Sequence, residues 1–473
     1  MAEARSWHSV ICSASVLLLA ACALSPLQVD RQARAPLLDG YGQATLTVTS
    51  SSPEAKRWFA QGMQQAYAFN EVEAVRAFKA ALAQDPDCAM CAWGVAYQLG
   101  PNINDTDRGD LSEALRNVDY ALRHGQALSP RDRSLVEALA LRYGHASETR
   151  NTAVITAPVC GAGSTSEKAD PLDIAYAERM RAIADRYPDD PDIVSMYAEA
   201  EMIATRVDWW DATTGKPGGR MGEVAQRIEV ALKSHPDHVG LNHYMIHAVD
   251  ALPVASRAEH SADLLGRLAP ASPHLLHMPA HTYVQLGRYA DATRVNIEAL
   301  AADDVLDTEL GKQNFDVSKD WRRHDSQFLW YGALMQGRGE LALQTARASA
   351  VRAEKDEGEF AEFARSRPLL TLVRLERWDE VLQEPIASGD KGLAVVLGES
   401  SHGIAYARTG QSAHAAEALA RLDAAAANVI AAHAGDNYVD KMMRGLASVS
   451  QQRLRAELAL SEGRAEAALA DQA

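Results

Sequence analysis

Two pairs of histidines, His243/His247 and His277/His281, each have i, i+4 spacing. On a helix the two rings of such a pair lie on one face, one turn apart. Neutral imidazole is the commonest ligand for zinc, copper, iron and nickel, so each pair could hold a transition ion from a single turn. The second pair follows the first by 34 residues (277 − 243 and 281 − 247). An offset of that length is the period of a helix–turn–helix unit stacked on its own copy, so two successive units carry histidine at the same two positions. His274 and His324 are further candidate ligands. Asp250, three residues after His247, and Glu259 could bind the ion or orient a ring. Eight of the fifteen histidines fall between His235 and His281, and of these His235, His238 and His260 read as turn-flanking, hydrogen-bonding residues instead.

The elements that must position these rings are helices. Alternating β-branched strand patterns are nearly absent, and alanine recurs at helix-contact spacing. The first unit is the clearest, with Trp58, Gly62, Ala74, Phe78, Ala81 and Pro86 at fixed intervals. Gly62 and Ala74 allow two helices to approach, Trp58 and Phe78 fill the space between them, and Pro86 ends the second. Helices are expected at 54–69 and 71–84, with hairpins continuing to 471 and two interruptions, the loops 144–169 and 206–220. The second loop contains Trp209 and Trp210, which could line a site or anchor the loop. Gly287, Gly337, Gly410 and Gly463 fall at the turn between paired helices.

These residues resemble the tetratricopeptide signature W-x2-L-G-x2-Y…A-x3-F…P, with Gln61 and Gln65 at its Leu and Tyr positions. The resemblance covers about residues 54–471. More narrowly, residues 59–104, Asn242-His243-Tyr244-Met245-Ile246-His247 and His274-Leu275-Leu276-His277-Met278-Pro279-Ala280-His281 look like a largely uncharacterised group of bacterial tetratricopeptide proteins. The group carries His-Asn-x-His where this chain has His324-Asp325-Ser326-Gln327. The resemblance implies an all-α solenoid of antiparallel hairpins whose first helices line a concave groove. With Leu276, Ala280 and Tyr283 as packing positions, the groove face takes His274, His277, His281 and Val284. One period earlier it takes His243 and His247, and the register on Gly337 adds His324. Packed helix axes lie about 8–10 Å apart, so one ion could take ligands from both helices.

The N-terminus has another character. Residues 10–21 (VICSASVLLLAA) form an apolar run too short to span a bilayer comfortably. The run ends Leu19-Ala20-Ala21-Cys22, which resembles a bacterial lipoprotein signal. The expectation is a signal peptide over 1–21, lipidation at Cys22, a flexible tether over 22–53 and the solenoid over 54–473. A lipidated Cys22 anchors the chain without spanning the membrane. It implies an outer-membrane lipoprotein facing the periplasm of a bacterial envelope; the alternative is an ordinary secretory signal and a soluble periplasmic or secreted product. Three cysteines then remain. Cys88-Ala89-Met90-Cys91 could be a local disulfide, half a metal site or two packed thiols, and Cys160 is the odd thiol.

The chain has 473 residues and a net charge of −16 with no basic cluster, which argues against a nucleic-acid partner. No Ser-His-Asp order, Walker loop or Rossmann glycine pattern is present. Two function classes follow. One is a lipid-tethered scaffold that takes a protein or peptide in its groove, with a zinc or copper site at the histidines. The other is a metalloenzyme or metal-storage protein using the same histidines, with Asp250 and Tyr283 as candidate acid or base.

Overall fold

The computed structural model describes residues 35–104, 110–145, 169–206, 209–313, 319–386, 392–464 and 466. The expected signal peptide, Cys22, Cys160, most of the 144–169 loop and the helix expected beyond 465 lie outside the described residues. Helix starts are written in the sequence. Ser52, Ser129, Asp170, Asp190 and Ser272 each stand before a proline and accept a hydrogen bond from a backbone N–H of the first turn. The side-chain oxygen satisfies an orphan donor, and the proline, which has no N–H to lose, fixes a helical φ.

The helices alternate as inner and outer members of antiparallel hairpins. In chain order the first pairs are α1 (Pro53–Tyr67) with α2 (Glu71–Gln84), α3 (Ala89–Gln98) with α4 (Ser112–His124), and α5 (Pro130–Arg142) with α6 (Pro171–Arg186). Next come α7 (Pro191–Thr205) with α8 (Met221–Ser234) and α9 (Val239–Ala248) with α10 (Glu259–Leu268). Then α11 (Pro273–His277) and α12 (Pro279–Gln285) together face α13 (Tyr289–Gly311). The array continues with α14 (Lys319–Met335) and α15 (Gly339–Arg352), α16 (Glu359–Arg374) and α17 (Trp378–Gln383), α18 (Leu393–Arg408) and α19 (Ser412–Ala432), and finally α20 (Tyr438–Ser461). The fold is an all-α solenoid of antiparallel, tetratricopeptide-type hairpins. Among the described residues the only β pairing is an isolated bridge between Trp210 and Pro217.

α11 and α12 are separated at Met278, which keeps helical angles (φ −50°, ψ −38°), because Pro279 has no N–H to give to the preceding turn. α16 carries Pro368 in its interior.

One difference from the expected organisation concerns the tether. Within 22–53, residues 35–52 lie against the array: Ala35, Tyr41, Leu46 and Val48 are buried in the main core. The Gly40 carbonyl accepts from Ala271 N–H at 3.0 Å and the Gly42 carbonyl from Gln64 at 2.7 Å. Thr45 donates to Asp192 at 2.5 Å. Apolar residues at 35, 41, 46 and 48 bury surface that a free tether would leave in water.

The first half coils tightly enough for α1 to touch α9. Tyr67, at the end of α1, donates to Asp192 of α7 at 2.6 Å, and Tyr97 of α3 donates to Glu199 of α7. One continuous core results, from Ala35 to Val295; a second gathers residues 343–454. The inner face that carries the histidines is therefore packed by the chain itself and is not an open trough.

Candidate metal centre

The six histidines of the inner face form two triads, not the single four-histidine site expected. His243, His247 and His274 make the first, and His277, His281 and His324 the second. Within each triad one nitrogen per residue lies within 4.8 Å of the others. The i, i+4 pairs on α9 and on α11–α12 supply two ligands each. The third comes from the next inner helix, His274 on α11 for the first triad and His324 on α14 for the second. The 34-residue repeat thus becomes a repeat of sites.

Nε2 of His243 is 3.0 Å from Nε2 of His247 and 3.1 Å from Nε2 of His274. In the second triad Nε2 of His281 is 3.1 Å from Nε2 of His277 and 3.3 Å from Nε2 of His324. Two nitrogens each bonded to one ion at about 2.0–2.1 Å would stand about 2.8–3.4 Å apart at right-angled to tetrahedral geometry.

The other ring nitrogens decide the tautomers. His243 Nδ1 donates to the Tyr67 carbonyl at 2.7 Å. His277 Nδ1 donates to Asn296 Oδ1 at 2.7 Å, and the Asn296 amide is oriented by its Nδ2, which donates to the Ala292 carbonyl at 2.7 Å. Asp325 lies 3.1 Å from the same His277 nitrogen. His281 Nδ1 donates to Asp250 at 3.0 Å. An N–H committed to an oxygen leaves Nε2 as the lone-pair end of a neutral imidazole. The Nε2 lone pairs of His277 and His281 therefore face each other at 3.1 Å, with His324 converging on the same point.

Electrostatics favours the neutral rings. Burial holds His243 and His324 down to about 3 and lowers His247, His274 and His277 well below the ordinary histidine value, with neighbouring histidines adding to the effect in these three. Burial also pushes Asp325 up, and Asp303 adds to that shift. Neutral imidazole is the metal-binding form.

Each triad has an aromatic wall. Phe69 stacks on His247 and His274 and lies 4.5 Å from the His243 ring centroid. Phe328 lies 4.6–5.0 Å from the rings of His277, His281 and His324. Phe69 occupies the turn of its hairpin with φ +52°, where Gly287, Gly337 and Gly410 stand in later hairpins with φ of 71–77°. A side chain larger than glycine costs free energy in that conformation, and the strained turn aims the ring at the triad. Tyr67, Asn296, Asp325 and the two phenylalanines were not among the expected site residues. A phenylalanine at a turn position that glycine holds in three later hairpins, and Glu376 in another, was the one signal in the sequence.

The remaining expected residues divide. Asp250 orients His281 and is not a member of either triad. Tyr283 points away from the site: its hydroxyl donates to Asp263 at 2.8 Å, so it is not the nearby acid or base expected. Glu259 pairs with Arg288 at 2.9 Å. His238 caps α9, accepting from Leu241 N–H, and also lies against Asp192. Trp209 and Trp210 are anchors. Their indoles donate to the Met202 and Ala248 carbonyls, the latter at the end of the helix that carries His247. Cys88 and Cys91 are joined by a disulfide at the start of α3, with Cα atoms 5.2 Å apart.

No family model matches the chain, and no curated protein matches it. Among solved structures it is similar to the human IFIT1 dimer with m7Gppp-AAAA, at 13% identity, 90% of each chain and a TM-score of 0.37. It is also similar to yeast Tom70 (10% identity, 87% of this chain, 92% of that one, TM-score 0.28). A third is the P58(IPK) TPR domain (13%, 84% and 98%, TM-score 0.20). Likeness at this level adds nothing to what the helices and the histidines themselves define.

Proposed function

We propose that this chain is a metalloprotein that holds transition ions, zinc or copper, at two three-histidine sites built into successive hairpins. The observation that carries the reading is the meeting of His277, His281 and His324 through Nε2, with the Nδ1 atoms of His277 and His281 already committed to oxygens. A single proton can relieve one pair of facing lone pairs; three converging nitrogens suit a cation. Three neutral nitrogen ligands leave an ion its full charge and a free fourth position, the arrangement of catalytic zinc sites rather than closed structural ones.

Placement in the envelope is part of the proposal. It is supported by the apolar run 10–21 and by Cys22 as the lipidated residue. No described helix is long and apolar enough to cross a membrane. A protein or peptide partner is the generic reading for stacked hairpins; here it would use surfaces other than the self-packed inner face of the first half. The test of the metal reading is cobalt(II) titration of the metal-free protein. Intense visible bands of low-coordinate cobalt, saturating at two equivalents, are expected. Absent uptake, or only the pale absorption of octahedral cobalt, would overturn it.

A further inference from the structure

The two triads match in their ligands and differ in the charge and water around them. All three histidines of the first are buried; in the second only His277 is, and His281 and His324 are partly exposed. The groups that orient the rings differ as well. In the first triad the acceptor behind His243 is a neutral group, the Tyr67 carbonyl. In the second the acceptor behind His281 is the carboxylate of Asp250, an exposed residue held at its other oxygen by the Gln285 amide. Two buried carboxylates, Asp303 in the lining it shares with His274 and Asp325 beside His277, are both pushed up by burial, so they do not set the triads apart. Arg367 opposes positive charge at His324. Its guanidinium lies over the Trp330 and Phe363 rings and donates to Gln327, not to a ligand.

The cost of taking an ion out of water grows with the square of its charge, so a dication costs about four times as much as a monocation of the same size. Three neutral rings, backed by a neutral carbonyl and shut away from water, favour the monocation. A carboxylate hydrogen-bonded to a ligand raises the basicity of that ligand and offsets part of a dication's charge. Coordination number points the same way. Zinc held by three side chains completes four ligands with a water, and the second triad has water beside it. Copper(I) has a filled d shell, is well suited by imidazole and is satisfied by three nitrogens. We propose that the first triad is a copper(I) site and the second a zinc(II) site, so that the chain holds one ion of each kind. The inference rests on the metal reading above and narrows it. Zinc alone still enters both triads; the division shows when both ions are offered.

The test is competition. Metal-free protein is given an excess of zinc(II) and of copper(I) together, the copper kept reduced with ascorbate under argon, and both contents are measured after removal of unbound ions. One copper and one zinc are expected. His243→Ala/His247→Ala should keep the zinc and lose the copper, and His277→Ala/His281→Ala should do the reverse. Copper X-ray absorption of the wild type should show three nitrogen neighbours and no sulfur. Asp250→Asn, which removes the charge and keeps an acceptor, should weaken zinc about tenfold or more and leave the copper in place. Should a double variant fail to fold, as judged by circular dichroism, the absorption spectrum and Asp250→Asn carry the assignment. Two zinc ions, two copper ions, the reversed assignment, copper bound through sulfur, or zinc undiminished in Asp250→Asn would overturn the inference and leave the two-site metal reading standing. Protein that retains neither ion would overturn both.

Discussion

The carbonyl of Tyr67 and Nδ1 of His243 stand 2.7 Å apart, although 176 residues of chain separate them. The end of the first inner helix thereby fixes the tautomer of a ligand on the fifth. This contact makes the first triad a reporter of how tightly the array coils. Gly240, one turn before His243, is where α9 meets the Tyr67 ring: a Cβ there would lie 2.7 Å from it. Gly240→Ala should cost about 1–3 kcal/mol through overpacking. It should also weaken zinc at the first site about tenfold or more while sparing the second. Thermal melts and a competitive zinc titration read both effects; equal weakening of the two sites would contradict this relay.

Asn296 plays the corresponding part for the second triad, where its Oδ1 accepts from His277. Asn296→Leu keeps the branched side-chain skeleton and removes the acceptor. The second site should lose about 10–100-fold in affinity, and the first should be unchanged. Asn296→Asp, which still accepts, should retain most of the binding. Site-resolved titration with each variant separates the outcomes.

Phe69 combines a strained turn with a buried ring. Phe69→Gly would relieve a conformational cost of about 1–3 kcal/mol but lose a burial worth about 3–5 kcal/mol. The net expectation is a destabilisation of about 2 kcal/mol, with faster release of metal from the first triad. Denaturant unfolding and chelator-driven release test it. A variant more stable than the parent would show that the ring contributes less than its burial suggests.

Acid should loosen the metal-free protein. Burial holds His243 and His324 at about 3 and lowers His247, His274 and His277, against an ordinary value of 6.5. Between those limits the unfolded chain binds more protons than the folded one. Stability is therefore full above pH 6.5 and falls progressively towards pH 3. Asp303, raised to about 7, and Asp325 act in the opposite sense, because the folded state holds their protons. Five histidines against two carboxylates give a net loss. The midpoint temperature of the metal-free protein should fall from pH 7 to pH 5; a flat or rising profile would count against buried neutral rings.

The hairpin order and the four histidines of the two pairs were legible in the sequence because a 34-residue period and i, i+4 spacing are local. His274 and His324 were legible as groove-facing residues through register. Their full membership in the triads was not, because it depends on how neighbouring inner helices approach. The division into two sites, and the orienting contacts from Tyr67 and Asn296, depend on contacts between distant parts of the chain. The packed segment 35–52 was hidden by composition: its proline, serine, threonine and glutamine read as a tether, while its buried residues Tyr41, Leu46 and Val48 are too sparse to form a periodic pattern. Leu46 is 1% exposed, so Leu46→Ala should destabilise the fold by about 2–5 kcal/mol, an effect no flexible tether would show in a denaturant titration.

The most direct measurement is the metal content of the untagged protein after reconstitution with zinc and removal of excess, for wild type and two variants. Two equivalents are expected in wild type. One should remain in His243→Ala/His247→Ala, with the second triad filled, and one in His277→Ala/His281→Ala, with the first filled. No retained zinc in wild type, or a content unchanged by both double substitutions in folded protein, would contradict the paired three-histidine centres.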